Sequence, residues 1–179
     1  MQTLRICFNG FFIILGLAAT SCSSTSGPVP GGKEGAMLYI FVESASRDPD
    51  LTRRLEWHRT SPQEAFVERE PVMQPLSVLS KALIHDSKAG GQVAELQFNR
   101  RGKHLLEAMT IEQRGRRLFF VAWYLQNKDD KNVTARCVGV HALRQVNADG
   151  RLFFTPDLPA VEAVRLIASF NKTAKALQR

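Results

Sequence analysis

The chain has 179 residues, 44% of them hydrophobic, and a formal net charge of +7. That is enough apolar material for one packed domain with a short appendage, and too much for a disordered polyelectrolyte. The basic excess suits anionic partners such as phospholipid headgroups, acidic polysaccharide or nucleic acid. Of the three cysteines only Cys137 lies beyond the N-terminal segment, which excludes a disulfide-stapled fold and a CxxC zinc site.

The first element is an export segment. Residues 1–22 read MQTLRICFNGFFIILGLAATSC. A short n-region carrying Arg5 precedes an apolar stretch centred on Phe11 to Ala19, too short to span a membrane as a stable helix. Ala19-Thr20-Ser21-Cys22 resembles the lipobox of bacterial lipoprotein signals, although the family usually has a larger aliphatic residue where Ala19 stands. The resemblance implies that Cys22 is acylated and becomes the first mature residue. The alternatives are an ordinary signal peptide cleaved nearby and an uncleaved anchor. SSTSGPVPGGKEG follows Cys22, a Ser/Gly/Pro-rich tether without apolar periodicity. The expected organisation is therefore a signal peptide at 1–21, a flexible tether at 22–35 and a folded domain at 36–179. Ser23 beside the lipidated cysteine implies the outer membrane, on its periplasmic side, in a Gram-negative host. Export makes nucleic acid the least suitable of the anionic partners.

In the folded part, Met37 to Ser44 (MLYIFVES) reads as a strand rich in aromatic and β-branched residues. Arg47 to Pro62 is polar and reads as a turn region around Asp48-Pro49-Asp50. Phe66 to Val72 reads as a second strand ending at Pro71. Leu76 to Ile84 is open between helix and strand, since a short apolar run decides neither. Ala89-Gly90-Gly91 breaks the chain. Val93 to Phe98 then alternates, with Val93, Glu95 and Gln97 on one face and Ala94, Leu96 and Phe98 on the other. Asn99 is the N-cap of a helix to about Ile111, with Leu105, Leu106, Ala108 and Met109 toward the core. Gly115 ends it.

Leu118 to Leu125 is apolar on both faces, as a central strand requires. The run Asn127 to Asn132 makes a charged turn, Thr134 to Val146 another strand, and Asn147 to Gly150 a turn before the short strand Arg151 to Thr155. The last helix opens near Asp157 as cap, with Pro159 in its first turn and Glu162 favouring the N-terminal dipole. Ala163, Leu166, Ile167, Phe170, Ala174 and Leu177 form its apolar stripe. This order predicts an α+β fold: a mostly antiparallel sheet with two helices packed on one face.

From Val93 onward the pattern is similar to a known family. VAELQFNRRGKHLLEAMTIEQRGRRLFFVAWY resembles the head subdomain of the first periplasmic domain of SecD, the protein-export factor. Phe98, Asn99, Gly102, Met109, Thr110 and Gly115 stand at the family's matching positions. ADGRLFFTPDLPAVEAVRLIASFN and EREPVMQPLSVLSKALI resemble its later strand and helix and its entry segment, so the likeness covers roughly residues 66–171. Cys137 stands where the family usually has a proline, and the turn at Asn127 to Asn132 is longer. The family's six-helix membrane bundle and its membrane carboxylates have no counterpart. The resemblance implies the head alone on a lipid tether, a binding module rather than a proton-driven motor.

No catalytic motif stands out. His58, His85, His104 and His141 lack metal-ligand spacing. Cys137 reads as a small apolar strand residue, and Glu64, Glu68 and Glu70 as the solvated face of a strand. Neither a cofactor nor a metal is expected. Two basic groups are the candidates for anion or membrane contact: Arg100, Arg101 and Lys103, which open the first helix against its dipole, and Arg114, Arg116 and Arg117 after it. The resulting expectation is a membrane-anchored envelope lipoprotein with a non-catalytic module that contacts polypeptides or envelope proteins. The alternative is an envelope enzyme whose site is assembled from scattered residues.

Overall fold

A computed structural model describes residues 35–58, 60–88, 90–125 and 133–179. Cys22, the signal segment, residues 22–34 of the tether and the turn at Asn127 to Asn132 lie outside the described residues. The chain forms β1 (Ala36–Val42), β2 (Thr52–Trp57), β3 (Gln63–Glu68), a 3-10 turn at Pro75–Ser77, β4 (Leu79–Asp86), β5 (Gln92–Phe98), α1 (Arg100–Glu112), β6 (Arg117–Tyr124), β7 (Thr134–Ala142), β8 (Arg151–Phe154) and α2 (Ala160–Leu177). Every strand pairing is antiparallel, in a β1-β6-β7 sheet, a β2-β3 hairpin and a β4-β5-β8 sheet. This is the expected α+β class, with the strands shared among three sheets.

Period-two alternation divides the β1-β6-β7 sheet into two faces. Leu38, Ile40 and Val42 stand opposite Ala122, Phe120 and Leu118. This face meets Ala82, Ala94, Leu96, Leu152 and Phe154 of the β4-β5-β8 sheet in the main core. Both helices complete the same core, α1 with Leu106 and Met109, α2 with Ala163, Leu166, Ile167, Phe170 and Ala174. The opposite face carries Phe41, Phe119, Val121 and Cys137. There the β2-β3 hairpin packs down through Leu55, Trp57, Ala65 and Val67.

Two close approaches hold the layers together. Asn99 caps α1, its Oδ1 accepting from the Gly102 N–H at 3.0 Å. Gly102 in turn leaves room for Phe98 and Val78. Gly139 in β7 lies under the ring of Phe154, which stacks on Phe120 at a centroid distance of 4.3 Å.

Main-chain groups on the outer edges of β1 and β4 are engaged. On β1 the Ile40 N–H donates to the Met73 carbonyl and the Ile40 carbonyl accepts from the Val72 N–H, both at 2.9 Å. On β4 the side chain of Asn171 takes both main-chain groups of Ala82, accepting at 2.7 Å and donating at 2.9 Å. The Gln178 amide adds a bond to the Leu79 carbonyl.

Several expectations need correction. The polar stretch Arg47 to Pro62 contains a strand, β2, because only Leu55 and Trp57 of TRRLEW need an apolar surface and the β1-β6-β7 sheet supplies it. The ambiguous run from Leu76 resolves into the 3-10 turn and β4. Leu105 and Ala108 of α1 face solvent, Leu105 at 46% exposure, and Thr110 is buried in their stead. Pro159 occupies the N-cap position of α2 instead of its first turn, while the Asp157 N–H donates to Val138. Leu177 lies past the buried part of the stripe.

Candidate functional site

The six basic candidates fall into two separate places, about 20 Å apart at the two ends of the thirteen-residue helix α1. Arg100, Arg101, Lys103 and Arg114 are exposed and make no ion pair among the described residues. Arg116 and Arg117 are engaged. Arg116 reaches Glu68 of the hairpin at 2.9 Å. Arg117 holds the Glu43 carboxylate with Nε at 2.8 Å and with a second nitrogen, and its guanidinium lies over the rings of Trp57 and Phe119. The hydrogen bonds from Arg117 hold the Glu43 carboxyl below the usual carboxylate range and raise Arg117 itself. The hairpin is thus tied to the sheet by charge as well as by apolar contact. The neighbouring acids are likewise paired one to one, Glu64 with Arg54 and Glu70 with Arg53.

The hairpin creates a cleft. Its strand β3 is fastened to the end of β1, the Ser44 N–H donating to the Phe66 carbonyl at 2.7 Å, with a further bridge between Glu43 and Val67. Its strand β2 lies over β7 with its outer edge unused: residues 53–56 make no main-chain hydrogen bond outside the hairpin among the described residues. Beside that edge opens a space of about 570 Å³, walled by Arg54, Trp57 and His58 and floored by Val121, Arg136 and Cys137. A lobe of about 230 Å³ continues from it between Trp57, Cys137, Val140 and Pro156. Trp57 is seated edge-on against Phe119 at 6.0 Å. His58 closes the strand with φ of 73°, a left-handed conformation that histidine tolerates better than most residues. Its Nδ1 accepts from the Ser61 N–H at 3.2 Å, which completes the turn.

This arrangement offers main-chain donors and acceptors, an aromatic wall and the guanidinium of Arg136. It does not offer an activated nucleophile. Burial pushes the Cys137 thiol up to about 11, and its hydrogen bond runs to the Gly139 carbonyl at 3.5 Å. His58 has one ring nitrogen committed to its own turn. The other histidines lie elsewhere: His104 is exposed on α1, and burial pushes half-buried His141 below its ordinary value.

Sequence reasoning missed one charged centre. Glu95, read as part of a polar strand face, is only 5% exposed. It accepts from His85 at 2.7 Å and Gln97 at 2.8 Å, with Arg151 at 3.7 Å. Burial opposes its ionisation, yet these hydrogen bonds and the Arg151 charge outweigh it and hold the carboxyl below the usual range. Only the β4-β5 and β5-β8 registers bring these residues together. Among the described residues no three His, Cys, Asp or Glu side chains converge on a metal-sized site, and no helix is long and apolar enough to cross a membrane.

No family model and no curated protein matches this sequence. Solved structures do, two of them of SecDF. One is of SecDF, a membrane component that enhances protein export, with a TM-score of 0.54 and 14% identity over 78% of this chain and 64% of that one. The other is SecDF in a super-membrane-facing form, with a TM-score of 0.53 and 13% identity over 78% of this chain and 19% of that one. The chain therefore spans less than two thirds of the first and about a fifth of the second. At such identity the likeness is one of fold, and it supports a SecD-like fold for this chain.

Proposed function

From a SecDF-like fold with an unused β2 edge beside a cleft, we propose that this chain is an envelope lipoprotein carrying a non-catalytic module that binds extended polypeptide. Acyl groups on Cys22 hold it to a membrane, the outer one where the host has two. The observation that carries the binding function is the unused edge of β2 beside a cleft, in a domain whose β1 and β4 edges are occupied. An extended segment adds to such an edge through main-chain hydrogen bonds, and alternate side chains enter the adjoining pockets. Trp57 and the lobe beyond it favour one apolar side chain. Arg136, and more remotely Arg100, Arg101, Lys103 and Arg114, favour acidic neighbours and make binding weaken as salt rises. SecDF enhances protein export, and the shared fold is consistent with polypeptide binding.

In-cell photocrosslinking of the full chain tests the proposal. A photoreactive residue at exposed Glu56 on β2 is compared with one at Val161, 84% exposed on the outer side of α2. Protein adducts from position 56 and none from 161 support polypeptide binding. No adducts at 56, together with turnover of an envelope substrate by the purified protein, replace it with the enzyme reading.

A further inference from the structure

Among the described residues, the face of the β1-β6-β7 sheet under the hairpin is covered at one end only. Along β6 it passes from Phe119, fully buried, through Val121 to Trp123, 44% exposed. Along β1 it passes from buried Phe41 to half-buried Tyr39 and Met37. At the open end the rings of Tyr39 and Trp123 lie side by side, centroids 5.5 Å apart with planes at 56°, and Met37 is the cross-strand partner of Trp123. Trp and Tyr together, on a surface patch that no element among the described residues covers, match the chemistry of a membrane-water interface, where the apolar ring is buried and the polar tip stays wet.

The route of the chain gives this end its partner. Ala36 opens β1 next to Met37 and stands opposite Tyr124, so the tether leaves the domain at the edge of the patch. By sequence, fourteen residues run from Cys22 to Gly35, and a Ser/Gly/Pro-rich stretch of that length reaches about 20 Å as a random coil and about 50 Å at most. With Cys22 acylated, the patch is held within that distance of a bilayer, at an effective concentration on the order of millimolar. We infer that Met37, Tyr39 and Trp123 form a docking surface that seats in the headgroup layer of a phospholipid bilayer. This rests on the lipid-anchor reading for proximity, although the chemistry of the patch does not depend on it. Val121, two residues from Trp123, also floors the β2 cleft. Seating the patch therefore brings the cleft to the membrane surface.

Tryptophan quenching by brominated phospholipid tests this in the full chain, because Trp57 and Trp123 are its two tryptophans. The acylated protein is reconstituted into vesicles of brominated phosphatidylcholine and phosphatidylglycerol. Trp57→Phe leaves Trp123 as sole reporter, and Trp123→Phe leaves Trp57. The expected result is severalfold stronger quenching in the first. If Trp57→Phe does not fold, quenching of the wild type that is lost in Trp123→Phe gives the same answer. An acylated chain, shown by a palmitate analogue, in which Trp123 is unquenched overturns the docking surface and leaves the anchor intact. If Cys22 is not acylated, vesicles are added to the free chain: quenching of Trp123 then removes only the anchor, and no quenching overturns both. Protein adducts from a photoreactive residue at position 39, without lipid quenching, reassign the patch to polypeptide and overturn the inference.

Discussion

Gly102 and Val78 are in such close contact that a Cβ built on Gly102 would lie 3.0 Å from the Val78 Cβ, and 2.9 Å from that of Phe98. All of these atoms are rooted in backbone, so none yields cheaply. Glycine in a helix costs about 1 kcal/mol against alanine, and the packing of α1 on the entry to β4 is what retains it. Gly102→Leu is expected to lower stability by about 2–3 kcal/mol. Exposed Lys103→Ala should stay within about 0.5 kcal/mol of wild type. Urea unfolding of the two variants measures the difference.

A second glycine gives a test by rescue. A Cβ on Gly139 would fall 2.3 Å from the Phe154 ring, which is pinned against Phe120. Gly139→Ala should destabilise by about 2 kcal/mol. Combined with Phe154→Leu it should cost less than the two single changes added, because the smaller side chain vacates the disputed space. Additive losses would mean that Gly139 matters for another reason.

The Glu95 cluster predicts an acid limb of stability. The carboxyl sits below its ordinary value of 4.5 in the folded chain. Its contribution is therefore complete above the unfolded value and is lost as pH falls through the lower, folded one. Glu43, held down by Arg117, acts in the same direction. Glu95→Gln should cost about 1–2 kcal/mol near neutrality, since a charged acceptor of two hydrogen bonds becomes neutral. It should also flatten the fall in urea midpoint below about pH 4.5. An unchanged acid slope would show that Glu95 does not govern it.

Cys137 should be unreactive while the domain is folded. With its thiol pushed up to about 11, only about one molecule in a thousand carries a thiolate near pH 8. Alkylation followed by peptide mass spectrometry should show slow modification of Cys137 in buffer and fast modification in denaturant. Rapid labelling of the native protein would reopen a nucleophilic role.

The lipid anchor has its own direct measurement. Wild type should partition with membranes and take up a palmitate analogue, and Cys22→Ser should do neither. Equal labelling of both would end the lipoprotein reading.

What the sequence made legible was local. The stripe of α2, the Asn99 cap and the doubly apolar β6 each follow from a few neighbouring residues, and each is found in place. The hairpin β2-β3 was half hidden, because Arg53, Arg54 and Glu56 mask the two residues, Leu55 and Trp57, that bind it to the sheet. The cleft was hidden with it. Arg116 and Arg117 read as a free basic patch until the fold brought Glu68 and Glu43, distant in sequence, against them. Glu95 had the same history, its partner His85 being set by the register of a hairpin.

If the chain is lipid-anchored as proposed, Asn171 has a consequence for copies that share a membrane. Anchored molecules diffuse in two dimensions and collide often, in orientations that the anchor repeats. Two β4 edges meeting under those conditions are an invitation to polymerise through main-chain pairing. Because the carboxamide of Asn171 already occupies both main-chain groups of Ala82, that encounter finds no vacant partner at the middle of the strand. One helix side chain therefore sets a limit on homotypic aggregation while β2, on the far side of the molecule's other sheet, stays open to a different chain.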